Sequence, residues 1–221
     1  MAKTVYFQKT VTSSDFRQVG ETVVANVEVP MDNTIRTTPA VMLQSFSVGF
    51  GGNDRNVLNF GATVKNVTGV GGRTLKFDVQ LTLADNDKHS ADPASCSAIV
   101  SGVVEIEGSN PVAGSLETQI RNYSGTANSA SQSATFSKVI VQDRMVGGLQ
   151  MFDLSYSSDG GTGSDNQIRF ILASLQNLNA YNNTLTYDVS GVMEDEPSFG
   201  KARRNQHTII QSAFLAEIAT A

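Results

Sequence analysis

Apolar and polar residues alternate with a period of two along most of the 221-residue chain, the mark of strands buried on one face. Thr4–Val11 and Glu21–Val29 read as strands, the second as Val-Val-Ala-Asn-Val-Glu-Val. A turn over Pro30–Asn33 precedes a strand at Ala40–Phe50, whose apolar contributors are Val41, Leu43, Phe46 and Val48. After a loop at Gly51–Asp54, strands are expected at Val57–Val67 and Thr74–Leu83. The joint between them, Gly69-Val70-Gly71-Gly72, supplies the positive φ that a hairpin turn needs. Asp85–Pro93 reads as a polar loop and Cys96–Glu107 as a closing strand, with no helix over this half.

The pattern then recurs. Leu43-Gln-Ser-Phe-Ser-Val-Gly-Phe50 aligns with Leu149-Gln-Met-Phe-Asp-Leu-Ser-Tyr156, and each is followed by a Gly/Asp-rich loop. Phe60 falls on Phe170, Thr74-Leu-Lys-Phe-Asp-Val79 on Thr184-Leu-Thr-Tyr-Asp-Val189, Asp85 on Asp195, and Val103-Val-Glu-Ile106 on Leu215-Ala-Glu-Ile218. Conserved order and spacing at this long period imply a duplicated domain and not a solenoid. Asn110–Ser133 is rich in Ser, Gly, Ala, Asn and Thr and reads as a linker. The expectation is therefore an all-β chain of two tandem antiparallel β-sandwich domains, residues 1–109 and 134–221, joined by a polar linker at 110–133. The second copy would open with a strand at Ala134–Gln142. That leaves it fewer leading residues than the first, so that one copy could borrow a strand from the other.

Composition narrows the function. Apolar residues make up 40% and charged residues 17%, which is globular and not disordered. The net charge is −5 and the 16 Lys and Arg are scattered, so a nucleic-acid partner is not expected. Cys96 stands alone, which excludes an internal disulfide. The first residues, MAKTVYFQKT, lack the apolar core of a secretory signal, and no run is long enough for a membrane helix. Synthesis in the cytoplasm without a signal peptide, without membrane insertion, and final residence in a virion or other extracellular assembly are expected. Asn66 and Asn122 match the glycosylation acceptor pattern but read as turn residues.

From Pro39-Ala-Val-Met-Leu43 onward the order of motifs can be compared with a known family. A Pro-x-Val strand leads to a long hairpin, then to a strand ending Lys-Asn-Val-Thr-Gly and an alternating Leu-Lys-Phe-Asp-Val strand. A Thr-x-x-Asp loop and a closing Val-x-Gly-Val-Val-Glu-Ile-Glu strand follow. This block, Val29–Glu107, resembles the H-type lectin domain, as does Val139–Ile218 more weakly. The resemblance implies a six-stranded antiparallel sandwich that trimerises through strand faces and binds sugars in clefts between protomers. It also implies ligand contacts from the loop at Thr82–His89, so Thr82, Asp85, Asp87 and His89 are candidates. Glu194 and Asp195 are candidates in the equivalent loop. The sequence departs from the family there: neither loop holds an aromatic residue and the chain has no Trp, so the ring on which a sugar would stack is missing.

Little in the chain suits catalysis. His89 and His207 are the only histidines, and a Cys96–His89 pair would lack an orienting third member. Cys96 is expected to be a small buried residue. Asp85, Asp87 and Asp92 lack the Gly and distant Glu of a calcium loop, and Asp159–Asp165 lacks the Lys-Ser/Thr and helix of a phosphate loop. No catalytic residue, metal or cofactor is expected, and the chain is read as not an enzyme. Glu194-Asp195-Glu196 is followed closely by Lys201, Arg203 and Arg204, with Phe199 between them, and Phe199, Arg203 and Arg204 are candidates for a subunit interface.

The function expected is a non-catalytic structural or assembly subunit of an oligomeric surface structure, such as a phage virion or tail component. It would be built from lectin-like sandwiches and contribute to host or glycan attachment. The alternative is a soluble multivalent carbohydrate-binding lectin. Partners would be further copies of the chain, as a trimer or a pseudo-hexameric ring, together with other structural proteins and a glycan.

Overall fold

A computed structural model describes residues 2–51, 56–57, 59–85, 87–108, 114–155, 168–195 and 204–219. Alternating β-branched and aromatic residues form β1 (Ala2–Val11), β2 (Arg17–Val19), β3 (Thr22–Pro30), β4 (Ala40–Gly49), β5 (Asn59–Thr68), β6 (Thr74–Ala84) and β7 (Ser97–Glu107). They are followed by β8 (Gly114–Gly125), β9 (Ser129–Thr135), β10 (Ile140–Ser155), β11 (Phe170–Tyr181), β12 (Thr184–Glu194) and β13 (His207–Ala219). Every ladder is antiparallel, and the described residues contain no α-helix, only short 3₁₀ turns at Ser13–Asp15 and Pro93–Ser95. The all-β, sandwich-like expectation holds.

Three sheets result: a six-stranded sheet in the order β1-β7-β4-β11-β12-β9, a four-stranded sheet β2-β3-β6-β5, and a three-stranded sheet β10-β13-β8. In the first half, β1-β7-β4 and β2-β3-β6-β5 enclose a core that includes Phe46, Val48, Phe77, Leu81, Val100 and Ile106. In the second, β11-β12-β9 and β10-β13-β8 enclose Phe136, Leu175, Leu185, Tyr187, Ile210 and Phe214. Burial of each such side chain contributes about 1.5–3 kcal/mol, which makes these two clusters the main stabilising term. Apart from β2, which has no counterpart beside β9, the strand order of one half parallels that of the other. β1-β7-β4 with β3-β6-β5 corresponds to β8-β13-β10 with β9-β12-β11.

The halves share one sheet. Ser45–Gly49 of β4 pairs with Phe170–Ser174 of β11, so the first half's sheet continues into the second. Over this junction three rings meet: Phe46, Phe60 and Phe152, from β4, β5 and β10, have centroids 5.3–5.8 Å apart. β10 lies against the part of β4 beyond the ladder, and a Cβ on Gly148 would sit 2.6 Å from Met42 Cβ. Only glycine permits that approach.

Two strands occupy the segment expected as a linker. β8 pairs with β13 from Gly114↔Ala219 to Gly125↔Thr208, and β9 pairs with β12 from Ser129↔Ser190 to Thr135↔Thr184. The expected opening strand at Ala134–Gln142 is also replaced: β9 stops at Thr135 and β10 starts at Ile140, with Phe136 N–H donating to Asn183 O between them. Both strands are the last in their sheets, so each is paired on one side only. Small polar residues suit such edges, and this composition concealed the strands. β8 and β9 thus precede β10 in the chain as β1 to β3 precede β4.

Candidate functional site

The loop after β6 is drawn tight by Asp85. Its Oδ1 accepts from the amides of Asp87 at 2.9 Å and His89 at 2.7 Å, and its Oδ2 lies 2.8 Å from His89 Nδ1. The Asp85 side chain is 3% exposed, whereas the His89 ring is 47% exposed. Burial pushes the Asp85 carboxyl up, but the hydrogen bonds from His89 and Asp87 outweigh it and hold the group below the usual carboxylate range. Asp87 and His89 point outward, and ligand-type atoms of Asp85, Asp87 and His89 lie within 4.8 Å of one another. Thr82 stands apart from them, buried inside β6 between Thr22 and Gly61. The loop thus gathers three of the four candidates, but the Asp85 oxygens already serve the loop itself.

At the matching point after β12, the buried Glu194 accepts from Arg204 Nε at 2.9 Å and from Arg169 Nη2. Burial raises its carboxyl, and the two guanidinium groups more than reverse this, leaving it below its ordinary value. Arg204, a candidate for a subunit contact, is therefore engaged within its own chain. Asp195 is buried beside it. Phe199 and Arg203 lie outside the described residues.

Next to this pair sits a residue that sequence reasoning missed. Asn205, 2% exposed, accepts from Met193 N–H and Asn128 Nδ2 and donates to Gly191 O, His207 O and Thr208 Oγ1. It ties the start of β9 to β12 and β13. Nothing in the spacing of a lone Asn marks such a role.

The junction between the halves carries its own polar groups. Gln44, 3% exposed, donates to Leu175 O at 2.9 Å and accepts from Gln8 and Ser101, joining β1, β7 and β11 through a bulge in β4. Glu217, with no exposed surface, is gripped by Arg144. Tyr6 lies near this pair with its hydroxyl buried and unpaired, and burial, aided by Glu217, pushes its pKa up to about 12.

One arrangement occurs in both halves. Asn66 has φ +56° and donates to Asp78 Oδ2 at 2.6 Å, while Asp78 Oδ1 accepts from Asn26. Asn177 has φ +53° and donates to Asp188 Oδ2 at 2.6 Å, while Asp188 Oδ1 accepts from Ser131. Each Asn sits at a β-bulge, and the left-handed backbone there favours Asn. The shared Asp within Phe/Tyr-Asp-Val was the signal that could have revealed it.

Cys96 closes the 3₁₀ turn before β7, and its thiol donates to Asp92 O at 3.2 Å. Burial pushes that thiol up to about 12. His89 is turned to Asp85, so the two do not form a nucleophile–base pair. No family model matches the chain, and no curated protein matches its sequence.

Proposed function

We propose that the chain is a non-catalytic structural subunit of an oligomeric assembly, a virion or tail component or a comparable surface array. Its two halves are read as copies of one sandwich. The recurring strand order and the paired Asn66–Asp78 and Asn177–Asp188 clamps support that reading. The observation that carries the assembly role is the β4–β11 ladder. It fuses sheets from both halves, with Gln44 and the three rings at Phe46, Phe60 and Phe152 locking the angle between them. A building block gains from such rigidity, because contacts at one end then dictate geometry at the other.

On this reading three chains close into a ring of six sandwiches. Light scattering on the purified chain, combined with negative-stain images, should give a closed oligomer with three-fold symmetry. A monodisperse monomer at high concentration would refute it.

A further inference from the structure

β8 ends its sheet, paired with β13 from Gly114↔Ala219 to Gly125↔Thr208 and with no described strand on its far side. An uncovered edge is a template for another strand, and proteins blunt it with Lys, Pro, a bulge or a short strand. The other sheet edges carry such devices. β1 has Lys3 and Lys9, β5 has Lys65 and a shift in register, and β10 has two shifts. β2 and β9 have only three and seven residues. β8 runs for 12 residues without Lys, Pro or any shift.

Its side chains are also turned against the usual pattern of a sandwich. Glu117, Gln119 and Arg121 stand opposite Ala216, Phe214 and Ser212 of β13, on the side of the second core. Leu116 and Ile120 point the other way and are 52% and 50% exposed. β1, the edge of the six-stranded sheet, does the reverse, with Val5 and Phe7 packed against the first core. Arg121 has no carboxylate partner among the described residues, and its guanidinium donates to the neighbouring Ile120 O. Glu117 accepts from Ser137 N–H at 3.1 Å, and an ionised carboxylate keeps further acceptor capacity.

We propose that β8 is a contact between two copies of this chain, paired antiparallel with β8 of a second copy about a two-fold axis at Gln119. In that register Glu117 of each copy stands opposite Arg121 of the other, so two opposite-charge pairs form across the new ladder. Leu116 of each copy lies diagonal to Ile120 of the other, within reach of side chains of that length, and these apolar groups cover one another. Charge selects the register. Moving the axis by one residue sets Glu117 against Gln119 or Tyr123, and Arg121 against Ser115 or Gln119. A strand complementary to itself is what a two-fold contact between identical chains requires. Because the contact consumes both edges it also closes, leaving neither open to further strands. It goes beyond a three-fold ring and does not need one, since it joins either two free chains or chains of two rings.

Analytical ultracentrifugation of the whole chain, joined to cysteine cross-linking, tests this. Gln119→Cys sets two thiols face to face across the axis, at a Cα separation that a disulfide spans, and the buried Cys96 does not compete. Oxidation should link folded copies through Gln119→Cys and not through Ser115→Cys, which would face Tyr123. Arg121→Glu and Glu117→Lys should each weaken association by at least about ten-fold, and an equal mixture of the two variants should restore it, because opposite charges then meet again. Ile120→Lys, at an exposed position, should leave the thermal melt unchanged and also weaken association; it decides the matter if a charge variant does not fold. A chain that does not self-associate, a Gln119→Cys variant that folds without cross-linking, or a mixture that stays as weak as its components would overturn the proposal. A two-fold dimer without three-fold symmetry would keep this contact and refute the ring, whereas a trimer indifferent to every β8 variant would do the opposite.

Discussion

Arg144 Nη1 lies 2.8 and 2.9 Å from the two carboxylate oxygens of Glu217, a side chain with no exposed surface. Because Glu217 is fully enclosed, it depends on that guanidinium. Arg144→Ala should cost about 3 kcal/mol, the low end for breaking a buried pair, since Arg144 itself is partly exposed. The double variant Arg144→Met/Glu217→Leu should recover most of the loss. Urea denaturation of the single and double variants checks both statements, and equal losses in the two would refute the coupling.

Asp85 sets a pH dependence. Its folded carboxyl is held below the ordinary range, so the loop clasp contributes stability above the unfolded value, near pH 4, and loses it as pH falls through the folded value. Thermal melts of the chain and of Asp85→Asn should differ by a constant amount at neutral pH. The two curves should converge in strong acid. A difference that persists there would mean that the side chain acts through packing alone.

The bulge asparagines should respond differently to Ala and Gly. Asn177→Ala places a Cβ-bearing residue without a local hydrogen bond at φ +53° and should cost about 1–2 kcal/mol. Asn177→Gly should cost less, because glycine accepts that backbone freely. Asn66 should behave in the same way, and a matched pair of stability measurements would support the correspondence between the halves.

Cys96 should be inert in the native state. Burial raises its thiol to about 12, and the thiolate is the reactive form. The unfolded thiol ionises near pH 8.5, so this group's contribution to stability is full below that value and falls as pH rises toward the folded one. Labelling by a maleimide at pH 8 should follow global unfolding in denaturant. Fast labelling of the folded chain would contradict the burial.

Much of the strand architecture was legible beforehand. Val41 and Leu43, then Phe46 and Val48, keep the two-residue spacing of a strand with one break at the bulge in β4, and the Thr74–Val79 and Thr184–Val189 blocks lie on β6 and β12. β8 and β9 were hidden because Ser, Gly and Asn at sheet edges carry no apolar rhythm, although each pairs along its length with one neighbour, β13 or β12. The candidate loop residues Asp85, Asp87 and His89 do come together, yet their hydrogen bonds close on the loop. Glu194 was read with cations downstream, and the structure adds Arg169, which lies 25 residues upstream.

Local alternation and turn chemistry, both written in the sequence, determined that this chain is all-β, built of antiparallel strands. Register across distant strands was left to the tertiary structure. Only the folded chain decided that β4 would pair with β11, that Gln44 would reach Leu175, and that Arg144 would meet Glu217. Such contacts depend on which edges and faces meet once the cores have closed, and residues 73 or 131 positions apart carry no periodic sign of one another.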